Sequence, residues 1–224
     1  MLTIHAAPLV LPVGAAAFVE GAVAVDGDRI AAIGPYEEVV AAHPAARVRR
    51  WPGLLTPGLR QDRARELLTR CYHPDPREAD ELGELPLWGE EFDRLAATMD
   101  PARRAGSVRR GLQRMLRYGT THVVGPFDAD DPALRAAVNR SGLVQLPPRD
   151  GPSRLAGASS PGPADLDPFA YGGDLASTVH GPLTVGARAD FAVFDVPDGA
   201  ALCAGGAVRC VATVLAGRLV HRAR

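Results

Sequence analysis

EGAVAVDGDRIAAIG, residues 20–34, carries the strongest signal of fold in the chain. Two apolar runs, 22–25 and 29–33, flank Asp26-Gly27, a strong two-residue signal for a β-hairpin. Outward from it, 36–42 can form a short helix and 47–51 a further strand. Pro52, Gly53, Pro57 and Gly58 then end the β character. A second β-rich stretch begins at Gly181. There 191–196, 208–215 and 219–222 read as strands, the last two joined at Ala216-Gly217.

The interior has a different rhythm. Residues 62–72 read as a helix with Leu67, Leu68 and Cys71 on one side. His73-Pro74-Asp75-Pro76 is a turn, because each proline biases its predecessor away from helix. Short helices are expected over 76–82 and 92–98. The clearest helix is 101–118, with Asp100 as N-cap, Pro101 at the first helical position and an apolar stripe of Val108, Leu112, Met115 and Leu116. Residues 120–124 read as a buried strand, 131–140 as a helix and 143–146 as a strand. Alternating helix and strand implies parallel βα units. The proline- and glycine-rich stretch 147–177 reads as a linker.

The two β-rich ends resemble the amidohydrolase superfamily, near its imidazolonepropionase and cytosine-deaminase-like branch. The resemblance rests on Gly21, Val25, Asp26, Gly27, Arg29, Ile30 and Gly34, then Pro57-Gly58-Leu59. It continues at Gly181, Leu183, Gly186, Ala189, Asp190, Phe191, Val193 and Asp195, then Val214, Gly217 and Val220. LRYGTTHVV at 116–124 and SGLVQ at 141–145 are similar to the family's second and third barrel strands. The resemblance implies a mixed α/β chain with a small composite β-sandwich built from 1–58 and 178–224. A short α/β remnant of a TIM-type barrel, 59–146, stands between these ends. From Gly58 to Gly181 the chain offers about half of the ~250 residues that an eight-stranded barrel takes.

Aligned from Pro57-Gly58, the family's two metal-binding histidines fall on Arg63 and Arg65. A guanidinium stays protonated and has no lone pair to donate, so the resemblance implies that the ancestral zinc or iron site is lost and no cofactor is held. The expected protein is therefore a pseudoenzyme, a binding or accessory subunit. Its exposed sheet edges would be covered by another copy or by a protein partner. Two alternatives stay open. One is a hydrolase of non-peptide C–N bonds rebuilt around Cys71, His73, Asp75, Glu78, Asp80 and His122. The plainer reading of that cluster is a surface turn with Asp75 capping the helix at Pro76. The other is a small-anion site at Arg63 and Arg65, against which stands a solvated helix face with Asp62 and Glu66 nearby.

Composition narrows the classes. The net charge is −1, which gives no global field toward nucleic acid or a membrane surface. All 25 basic residues are arginine, the usage of a GC-rich genome, which removes lysine Schiff-base and carboxylated-lysine chemistry. Arg103, Arg104, Arg109, Arg110, Arg114 and Arg117 make 101–118 strongly basic. Without an aromatic platform this reads as a solvated or docking face rather than a nucleic-acid surface. Cys71, Cys203 and Cys210 read as free thiols of a cytoplasmic protein. The apolar N-terminal stretch is broken by Pro8 and Pro12, which argues against a signal peptide, and no run reaches the ~18 apolar residues of a membrane span.

Overall fold

The computed structural model describes residues 2–127, 131–148 and 165–223. Along the chain run β1 (Thr3–Val10), β2 (Phe18–Asp26), β3 (Arg29–Pro35), α1 (Tyr36–Ala42), β4 (Arg47–Arg50), β5 (Leu54–Pro57), β6 (Leu59–Gln61) and α2 (Ala64–Thr69). Next come β7 (Cys71–Tyr72), α3 (Ala79–Leu82), β8 (Leu87–Trp88), α4 (Glu90–Ala96), α5 (Pro101–Leu116), β9 (Thr120–Val124), α6 (Pro132–Ser141) and β10 (Val144–Leu146). The last described elements are α7 (Leu175–Thr178), β11 (Phe191–Phe194), α8 (Gly199–Gly205), β12 (Cys210–Leu215) and β13 (Arg218–Arg222). They form two compact units. The first holds Met1–Arg60, Leu116–Thr121 and Asp167–Arg224; the second holds Gln61–Met115 and His122–Leu166.

The first unit is built on an eight-stranded sheet ordered β13-β12-β11-β5-β1-β2-β3, with β4 also paired to β1. The distant parts of the sequence are joined at one seam: β5 pairs antiparallel with β11, Thr56 opposite Ala192. The strands follow a single hydrogen-bonded path. Side chains alternate along each strand, so one face of every strand feeds a shared interior. Val23, Ile30, Leu55, Phe191, Val193 and Val214 meet there. The opposite faces are buried too. Ile4, Ala22 and Ala24 pack with Val39 of α1. Leu54, Ala192 and Phe194 pack with Phe169, Leu175 and Leu202.

The sheet curls until its two terminal hairpins touch. A Cβ added at Gly217, in the β12–β13 turn, would lie 2.1 Å from the Gly27 carbonyl oxygen in the β2–β3 turn. The β2–β3 turn is centred one residue later than the sequence signal suggests: Asp26 pairs with Arg29, leaving Gly27 and Asp28 at its tip. Only Gly27 of the two has positive φ, +59°, the first-position glycine of a II′ turn.

Asp190 holds the other hairpin. Its Oδ1 accepts the Ala216 N–H at 2.7 Å, and Ala216 has φ of +48°. Its Oδ2 lies 3.1 Å from Arg188. Burial pushes the Asp190 carboxyl above its ordinary range, against that hydrogen bond and Arg188. Asp190→Ala leaves the Ala216 amide without its acceptor in a strained turn. A loss of about 1–3 kcal/mol is expected, read as a lower urea midpoint at unchanged slope.

In the second unit α5 begins as its caps dictate: Pro101 follows Asp100, whose Oδ1 accepts the Arg103 N–H at 2.9 Å. It ends at Leu116, two residues before the expected end. Asp131 caps α6 through the Leu134 N–H. β9 pairs in parallel with β10, and β6 completes this three-stranded sheet. The helix expected over 62–72 stops at Thr69, because Cys71 and Tyr72 pair antiparallel with Trp88 and Leu87. Of the stretch read as a linker, 149–164 lies outside the described residues. Its later part is core: Phe169 and Leu175 are buried, and Asp167 accepts the Ala207 N–H at 2.8 Å. No helix among the described residues is long and apolar enough to cross a membrane.

Candidate functional site

Three of the candidate residues meet on one clamp within the second unit. Arg103, Ser107, Arg110 and Arg114 recur at intervals of four, three and four along α5, which puts them on one face of the helix. That face grips the turn from Tyr72 to Glu78. Ser107 Oγ accepts the His73 N–H at 2.9 Å. Arg110 donates from Nε to the His73 carbonyl at 2.7 Å and from NH1 to Asp75 Oδ2 at 3.2 Å. Arg114 reaches the Pro74 carbonyl at 3.4 Å. Much of the basic helix face is therefore matched by an acidic and carbonyl-rich turn of the same chain.

Glu78 is the hub of the turn. Its Oε2 accepts from the Tyr72 hydroxyl at 2.6 Å and from the Asp75 N–H at 2.8 Å, while Oε1 lies 2.7 Å from Arg103. Burial alone would raise its pKa, but these donors outweigh it and hold the carboxylate below its ordinary range. Arg103 Nε also donates to the Tyr72 hydroxyl at 2.9 Å. Burial, then the Glu78 contact, pushes the Tyr72 phenol upward. Asp75 caps the 3₁₀ turn Pro76–Glu78 in a full capping box, as the plainer sequence reading has it.

His73 is fully buried. Its Nε2 lies 3.0 Å from the Leu67 carbonyl, which assigns the ring proton to that nitrogen, and Nδ1 has no partner among the described residues. Burial first, then Arg114 and Arg110, lowers its pKa to about 4, against the Leu67 hydrogen bond. It is a neutral ring at pH 7. Cys71 is buried as well, and burial, with Glu66 nearby, pushes its thiol up to about 11. A thiol so protonated is a poor nucleophile.

The remaining candidates lie apart from this clamp. Asp80 is exposed on α3. His122 is half-buried on β9, opposite Val144. Arg63 and Arg65 part company at the start of α2. Arg65 is exposed. Arg63 is buried and forks onto Glu66, Nε to Oε2 at 2.8 Å and NH2 to Oε1 at 2.8 Å. Its own N–H is held by Gln61 Oε1 at 3.0 Å. The Arg63 hydrogen bond keeps the Glu66 carboxyl below its ordinary range. A zinc or iron ion needs lone pairs, and this position presents a protonated guanidinium already matched by a carboxylate. The donor set at 63 and 65 does not fit a metal. Among the described residues no three His, Cys, Asp or Glu side chains are grouped for one.

Sequence reading missed Tyr72, Ser107 and the clamping role of Arg103 and Arg110. The spacing of Arg103, Arg110 and Arg114 was the signal that could have found it. What they would face could not be read, because the turn lies some thirty to forty residues upstream.

Residues 21–46 match the family model of the imidazolonepropionase-like composite domain of bacteria. This segment is similar to that domain. It contains the β2–β3 hairpin and α1 of the curled sheet. No curated protein sequence matches the chain. Among solved structures, an adenosine deaminase from Xanthomonas campestris with bound zinc is 22% identical, with a TM-score of 0.46. The match covers 64% of this chain and 33% of that one. A guanine deaminase from Bradyrhizobium japonicum is 18% identical, with a TM-score of 0.46, over 66% of this chain and 34% of that one. The A. niger ochratoxinase is 18% identical, with a TM-score of 0.42, over 65% and 31%. The chain thus spans about a third of the length of these structures.

Proposed function

We propose that this chain is an amidohydrolase-related protein without metal-dependent hydrolysis, acting as a binding or accessory protein. The observation that carries the reading is Arg63, buried and bidentate on Glu66 at the position where the resembled family places a metal-binding histidine. Arg65 at the second such position adds another cation. A dication brought here meets like charge rather than imidazole lone pairs. The Asp75 and Glu78 carboxylates already accept hydrogen bonds from Arg110, Arg103 and Tyr72, which suits a scaffold. The free thiols Cys71, Cys203 and Cys210 suit a reducing cytoplasm.

Elemental analysis after incubation with zinc and dialysis tests the reading. The expected result is metal far below one equivalent and no turnover of cyclic amides or aminated bases. One bound equivalent of zinc or iron, together with such turnover, would overturn it.

A further inference from the structure

Residues of β2, α1 and β4 in the first unit line a cleft of about 310 Å³: Val19, Glu20, Pro35, Tyr36, Glu37 and Arg50. That is at the lower end of the sizes that small-molecule sites have. A smaller pocket of about 130 Å³ shares Glu20, Tyr36 and Arg50 and reaches Trp51. The three charged side chains of the cleft are unmatched. Glu20, Glu37 and Arg50 form no ion pair among the described residues. Arg50 lies 4.2 Å over the Tyr36 ring. A guanidinium stacked on an aromatic face keeps its in-plane N–H donors available.

Glu20 is held at φ of +45° inside a strand, a conformation that costs a non-glycine residue free energy. The bend has a local cause. On β1, Pro8 stands between the pairs Ala7–Gly21 and Leu9–Val19 and has no N–H to give the ladder. Gly21 lets the chain close on itself, since a Cβ there would lie 2.8 Å from that of Phe18. Strain kept at a residue that lines both pockets is a mark of a binding site.

We infer that this cleft binds a basic α-amino acid, its carboxylate on Arg50 and its cationic groups on Glu20 and Glu37. Arginine offers only donors and a carboxylate only acceptors, so a fitting ligand brings both signs of charge. Two carboxylates against one guanidinium leave the lining with one negative charge in excess. A ligand with two ammonium groups and one carboxylate neutralises it. Val19, which is 75% exposed, Pro35 and the Tyr36 ring cover the methylene chain of such a ligand. The inference does not depend on whether hydrolysis has been lost.

Titration of the full chain with L-lysine, followed by the indole N–H resonances of its two tryptophans, is the test. Trp51 lines the smaller pocket, whereas Trp88 lines neither and serves as the internal reference. Trp88→Phe assigns the two signals. Saturable movement of the Trp51 signal alone is expected, with a Kd on the order of 1 mM or tighter in about 0.05 M salt. Arg50→Gln and Glu20→Gln each raise that Kd about fivefold or more. Both positions are exposed, and unchanged circular dichroism would verify that the variants fold. Cadaverine keeps both ammonium groups but lacks the carboxylate. It binds at least about fivefold more weakly than L-lysine and loses no affinity on Arg50→Gln. L-glutamate, with the charge balance reversed, is weaker than L-lysine by a similar margin. A Trp51 signal unmoved by L-lysine up to about 20 mM would overturn the inference, as would equal movement of Trp88. So would cadaverine or L-glutamate matching L-lysine, or variants that bind L-lysine as the wild type does.

Discussion

Gly53→Ala is expected to cost about 3–5 kcal/mol, enough to unfold a marginal domain. Two costs add at this position. Gly53 has φ of +65°, where an alanine is strained. A Cβ there would lie 2.3 Å from the Phe194 carbonyl oxygen and 2.7 Å from that of Val196. Both are backbone atoms, which cannot swing away as a side-chain tip would. Gly53 precedes β5, the strand that joins the N-terminal and C-terminal parts of the sheet. Pushing the Phe194 carbonyl away therefore opens the seam on which the first unit depends. Gly181→Ala is the control, since its added Cβ meets nothing within 4 Å. It should change the free energy of unfolding by no more than about 0.5 kcal/mol. Comparable midpoints for the two variants would refute this account of the seam.

Acidification is the second large effect, and it acts through two histidines kept neutral by burial. His5 sits in the first unit, edge-on to Phe191 at 4.9 Å, with Nδ1 accepting from the Trp51 indole N–H at 3.1 Å. Burial, with Arg49 nearby, lowers its pKa to about 3. His73 in the second unit lies at about 4. Both folded values lie below the ordinary value of 6.5. Between the folded and unfolded values the unfolded chain binds the extra proton, so stability rises with pH there. The contribution of each histidine is complete above about pH 6.5. It is lost as pH falls, by on the order of 3 kcal/mol per group at about pH 4. Urea midpoints measured from about pH 7 to pH 4 should fall steeply. His5→Gln and His73→Gln should each flatten that fall by about 1.4 kcal/mol per pH unit. Equal slopes in wild type and variants would place the proton uptake elsewhere.

The hairpin at Gly27 and the turn at Ala216-Gly217 were legible because turn chemistry is local. The same holds for the caps Asp100 and Asp75, each of which accepts the backbone N–H expected of it. Less could be read where a distant partner decides. Cys71-Tyr72 has helical neighbours, yet it pairs with Leu87-Trp88. Phe169 and Leu175 sit in a proline-rich stretch, yet their side chains fill the core behind Phe194. The cluster at 71–80 looked chemical in the sequence. In the fold its Asp75 and Glu78 carboxylates answer the arginines of α5.

Residue order alone carries the resemblance of the two β-rich ends to one family and the presence of arginine at positions 63 and 65. Local patterns carry that much, because turn residues, strand alternation and residue type need no partner to be recognised. The roles of those residues emerge only on folding. Folding closes one sheet from both ends of the chain, turns Arg63 inward onto Glu66, and sets the arginines of α5 against the Tyr72–Glu78 turn. The physical reason is common to all three. Burial and ion pairing depend on groups brought together from far along the chain, and no short stretch of sequence records its distant neighbours.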